Sequence, residues 1–111
     1  MKRAVVGERT AMVEEGTIIV YRLPPRYPAA RRVRFMEKVW GQTRTSNGRL
    51  SRRHGALERI PHWKVGRGVV IVRARDGPNV VRELERWKAE VMWWPIPLEQ
   101  GHTRRLQASL T

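Results

Sequence analysis

Two groups of side chains able to grip phosphate or stack on a base lie close together in the middle of the chain. Arg44, Arg49, Arg52, Arg53 and His54 surround the turn dipeptide Asn47-Gly48, and Arg59, His62, Trp63, Lys64 and Arg67 follow directly. A guanidinium meets phosphate oxygens through paired N–H donors, and an indole beside cations offers a face to a base. Arg22 to Arg67 holds thirteen of the 23 basic residues and only two acids, Glu37 and Glu58, in a chain of net charge +13. Self-repulsion of such a cluster opposes a compact state, so its use must lie in a polyanionic partner.

The same region carries no catalytic set. Glu37 and Glu58 are isolated and far apart in sequence, which leaves no paired carboxylates for acid–base work. Ser46, Ser51 and His54 have no acid beside them, and polar loops produce that grouping by chance. The scattered glycines lack the Lys-Ser/Thr ending of a phosphate-binding loop. The chain has no cysteine, and His54, His62 and His102 do not follow zinc spacing. No catalytic residue, metal site or cofactor is therefore expected. Arg outnumbers Lys nineteen to four. High genomic GC also raises Arg, but it does not explain clustering.

A chain of 111 residues suits one domain with tails. Thr17 to Leu23 and Val69 to Ala74 are β-branched, nearly continuous apolar runs and read as buried strands. Ala29 to Trp40 reads as a helix with a core stripe of Ala29, Val33, Met36 and Trp40, and with Arg31, Arg34 and Lys38 together on the opposite side. Asn47-Gly48 predicts a hairpin with arms near 42–45 and 49–54, followed by a loop through Gly55, Pro61 and Gly66. Asp76-Gly77-Pro78 starts a second helix with a stripe of Val80, Leu84, Trp87 and Val91 and a charge-alternating outer face. Val91 to Trp94 reads as a last edge strand shortened by Pro95 and Pro97, with Trp40, Trp87 and Trp93 or Trp94 as core. Residues 1–16 are expected to be a tail or marginal hairpin and 99–111 a polar tail.

This order predicts an α+β fold over 17–98. The expected plan is a ferredoxin-like βαββαβ sandwich, with two helices on one face of a four-stranded sheet and a basic hairpin or loop insertion. Ile18-Ile19-Val20-Tyr21-Arg22-Leu23-Pro24, followed by Arg32 to Gly41, resembles the small CRISPR-adaptation subunit family. That resemblance implies the same fold, a dimer and nucleic-acid binding. The family's acidic residue at the end of the first strand is Arg22 here, which speaks against its metal-dependent nuclease activity. Phe35 to Gly41, with Ser46-Asn47-Gly48, Arg53 to Leu57, Ile60-Pro61-His62 and Arg67 to Val72, is also similar to short archaeal proteins of uncertain role.

The expected function is that of a non-enzymatic RNA-binding protein, a small ribosomal or ribonucleoprotein component with neighbouring proteins as further partners. RNA is favoured over DNA, and a dimeric DNA-binding protein of CRISPR-adaptation-like, viral or chromatin type is the alternative. The N-terminus breaks too early for a signal peptide and no apolar run spans a bilayer, so the expected location is the cytoplasm.

Overall fold

The computed structural model describes residues 14–108. The chain runs through strand β1 (Glu14–Arg22), helix α1 (Ala29–Trp40) and the hairpin β2 (Gln42–Ser46) and β3 (Arg49–Arg53). A 3₁₀ turn (Ala56–Arg59) leads to β4 (His62–Gly66), β5 (Val69–Arg73), α2 (Gly77–Arg86), β6 (Glu90–Leu98) and α3 (Gln100–Ala108). The fold is mixed α+β. An antiparallel sheet in the order β4-β5-β1-β6 accompanies a separate two-stranded sheet, β2-β3. It is not a clean βαββαβ arrangement, because the hairpin stands outside the main sheet and a third helix follows β6.

Alternation along the strands sends side chains to two cores. On one face Ile19, Val70 and Val72 pack with Phe35, Val39 and Trp40 of α1 and with Val80 and Leu84 of α2. On the other, Ile71 and Leu98 pack with Leu106 of α3, flanked by Ile18, Trp63 and Ile96. Each fully buried Leu, Val or Phe contributes about 1.5–3 kcal/mol, enough for a small domain to hold both layers.

Several expectations need correction. The α1 core face is Phe35 and Val39 together with the expected Trp40, whereas Ala29 is exposed, Val33 56% and Met36 44% so. Two overlapping stripes exist on this helix, and the core takes Phe35 and Val39 from one and only Trp40 from the other. Measured from the Phe35, Val39 and Trp40 face at 100° per residue, Arg31 and Lys38 stand on a flank of the helix and Arg34 lies nearest the opposite side. Residues 62–66, expected to be loop, form the outer strand paired to β5. The last strand is not shortened: β6 keeps Pro95 opposite Thr17 and Pro97 opposite Glu15. Proline is tolerated there because one side of β6 is the open edge of the sheet.

That edge position also explains why neither Trp93 nor Trp94, one of them expected in the core, is buried: they are 54% and 47% exposed. The end of β6 that packs with α3 is Ile96 to Leu98. The segment expected to be a C-terminal tail folds as α3 over 100–108, held by Leu106. Glu14 to Gly16 extend β1, and the rest of the expected N-terminal tail or hairpin, residues 1–13, lies outside the described residues. Pro78 occupies the first turn of α2, but the Asp76 carboxylate accepts from Arg73 Nε at 2.8 Å instead of capping the helix. No helix among the described residues is long and apolar enough to cross a membrane.

Candidate nucleic-acid interface

The hairpin leaves the body where α1 ends. Asn47 at φ 52° and Gly48 at φ 76° make the two-residue turn, the geometry whose twist matches antiparallel strands. From Thr43 to Arg53 every residue is exposed. Pairing sorts the side chains: Gln42 with Arg53, Arg44 with Ser51, and Ser46 with Arg49 share one face, while Thr43 with Arg52 and Thr45 with Leu50 share the other. Each of the three rungs on the first face therefore carries one arginine, with successive rungs about 6.8 Å apart. That repeat is close to the separation of successive phosphates along a nucleic-acid strand. Arg44, Arg49 and Arg53 make no ion pair among the described residues.

Arg52 behaves differently. Its Nη2 donates to the Glu58 carboxylate and to the Trp40 carbonyl oxygen at 3.1 Å, and its Nη1 to Thr43 Oγ1 at 3.2 Å. The other Glu58 oxygen accepts the Gly55 N–H at 3.0 Å, and His54 Nδ1 stands 3.6 Å from it. Burial by itself would raise the Glu58 pKa. The Gly55 hydrogen bond, the Arg52 guanidinium and the charge of His54 together hold the carboxyl below its ordinary range. Arg52, expected at the interface, thus also holds the joint that fixes the arm, and His54 stands beside it with its side chain 63% exposed.

On α1, Arg34 and Lys38 are exposed, and Lys38 stands one helical turn before the arm begins. Arg31 is partly occupied: Nε donates to Tyr27 Oη at 3.1 Å, and the guanidinium lies 5.6 Å from the Tyr27 ring centre and 5.9 Å from that of Trp87. Arg59 is exposed at the end of the 3₁₀ turn. Trp63 is half-buried between β4 and α3, with His102 5.2 Å away and the Arg105 guanidinium 4.9 Å over its ring. It packs against the second core, with one ring face under Arg105. His62 is half-buried against Trp40 at 5.7 Å, its Nδ1 2.9 Å from the Ile60 carbonyl oxygen.

Lys64 and Arg67 fall into a groove of about 860 Å³. The end of β1, the stretch of α1 from Arg32 to Trp40 and the β4–β5 turn converge there. Tyr21, Leu23, Phe35, Met36 and Trp40 supply the apolar wall, and Arg22, Arg32, Lys64 and Arg67 the cations. Arg32 was hidden among its neighbours in the sequence; reading Phe35 and Val39 as the core stripe would have singled it out. No family model, curated protein or solved structure matches this chain.

Proposed function

We propose that this chain is a non-enzymatic RNA-binding protein, a small ribosomal or ribonucleoprotein component that grips the phosphate backbone with its hairpin arm. The observation that carries the reading is the face of Arg44, Arg49 and Arg53, one guanidinium per rung, none of them paired with a carboxylate among the described residues. Arg34 and Lys38 extend the same positive field back along α1. A preference for RNA follows from the arginine-rich composition, because guanidinium planes stack on the unpaired bases that RNA loops and bulges display. The strand order β4-β5-β1-β6, with α1 and α2 on one face, supports a ferredoxin-like core to which the arm and α3 are additions.

A second reading rests on the arm's shape. A free two-stranded ribbon fits the major groove of B-form DNA, about 12 Å wide, whereas the A-form major groove is too deep and narrow to admit it. Fluorescence anisotropy with a structured RNA and a duplex DNA of equal length, at matched salt, separates the two. Tighter binding to RNA supports the first reading, and tighter binding to duplex DNA replaces it with the second.

A further inference from the structure

The groove between α1, the end of β1 and the β4–β5 turn has a chemistry that phosphate gripping by the arm does not use. Its volume of about 860 Å³ falls in the range of sites that enclose a small molecule. One side is apolar, from Leu23, Met36 and the edges of Tyr21 and Trp40; the other is cationic, from Arg32, Lys64 and Arg67. None of these three cations pairs with a carboxylate among the described residues. Glu90, near the mouth, is held by Arg22 Nε at 2.5 Å.

The site is held in shape by its own bonds. Gly68, at φ +74°, accepts the Tyr21 N–H at 2.9 Å, and a Cβ at Gly68 would stand 2.6 Å from the Tyr21 carbonyl oxygen. The turn that carries Arg67 is thereby clamped against β1. Trp40 Nε1 donates to Tyr21 Oη at 2.8 Å, which leaves the phenol hydrogen free to donate. Burial pushes the Tyr21 phenol above its ordinary pKa, against the opposing effect of the Trp40 bond, so it stays protonated at neutral pH. Lys64 Nζ sits 4.5 Å from the centre of the Trp40 ring and fixes a positive charge inside the groove.

An occupant must therefore combine a flat, partly apolar body with an anion at one end and an acceptor for a phenol. We propose that the groove binds one unpaired nucleotide of the bound RNA, with its base against Met36, Leu23 and Tyr21 and its phosphate on Arg32 and Arg67. This deepens the RNA-binding reading and rests on it. The arm then supplies affinity for any phosphate backbone, and the groove supplies a preference for bulges and single strands.

The test uses the full ¹⁵N-labelled protein with adenosine 5′-monophosphate, and adenosine and inorganic phosphate as comparison probes. The nucleotide is expected to shift the Trp40 indole N–H and the Arg67 and Gly68 amides, and to bind at least about tenfold more tightly than either fragment. Arg67→Ala is expected to weaken it about tenfold or more, the loss of one charged hydrogen-bond partner. Met36→Trp, at an exposed position on the groove wall, is expected to abolish it. Shifts confined to the hairpin amides, or wild-type binding by both variants, would overturn the proposal. Failure of the arm reading looks different: RNA affinity then survives loss of the arm arginines, whether or not Trp40 answers the nucleotide.

Discussion

The Arg52 guanidinium donates at once to the Glu58 carboxylate and to the Trp40 carbonyl oxygen, so one side chain joins β3, the 3₁₀ turn and the end of α1. The arm is aimed by this joint. Among five cationic or histidine side chains that look alike in the sequence, it separates a structural arginine from three that face solvent.

Arg52→Ala should therefore lower stability, while Arg49→Ala and Arg53→Ala should not. Losing charge-assisted bonds at a partly exposed site costs about 1–2 kcal/mol. For a domain of this size each kcal/mol moves Tm by roughly 4–8 °C. Thermal unfolding by circular dichroism checks this, and equal Tm values for the three variants would remove the joint from the account.

The lowered pKa of Glu58 gives a pH signature. A carboxyl whose folded pKa is depressed stabilises the fold fully above its ordinary value of about 4.5, and that stability is lost as pH falls through the folded value. Glu58→Gln should be less stable than wild type at pH 7, and the gap should close as pH falls from about 4.5 through the depressed folded value. Urea midpoints across that range measure it; a constant gap contradicts the assignment.

Trp63 offers a test of its place in the core. Trp63→Ala should cost about 2–3 kcal/mol through lost packing against α3. RNA affinity of the folded variant, measured well below its Tm, should stay within about twofold. A large fall in affinity with unchanged stability would return Trp63 to the binding surface.

Among its described side chains, the third helix buries Leu106 alone. Leu106 is 2% exposed on an otherwise polar segment, and a short polar helix has little stability of its own. Leu106→Ala should destabilise the protein by about 2–4 kcal/mol, and hydrogen exchange over 100–108 should become fast before the rest of the chain opens. Retained protection there would show that α3 stands without its anchor.

Much of the frame was legible because local rules and packing agree. The apolar runs at Ile18 to Val20 and Val69 to Val72 could only be buried strands, Asn47-Gly48 could only be a tight turn, and Val80 with Leu84 marked the core face of α2. The misread parts are those where local pattern is ambiguous. Ala29 to Trp40 holds two stripes, and only the packing of Phe35 against Tyr21 and Trp87 decides between them. His62 to Gly66 has too little apolar alternation to read as a strand, and its register comes from β5. The arm's basic face follows from strand parity once the turn is placed, but Arg52's role needs Glu58 and Trp40, which only the fold brings near. The groove has no linear signal, since three separate segments build it.

The central claim, that Arg44, Arg49 and Arg53 hold phosphates, is tested most directly by salt. RNA affinity of wild type and of the triple alanine variant should be measured from about 50 to 200 mM salt. Each phosphate contact to a single strand contributes about 0.7 to the slope of log K against log salt. The variant should therefore show a slope shallower by about 2, with affinity reduced at every salt concentration and Tm unchanged. An unchanged slope and affinity in the folded variant would contradict the account.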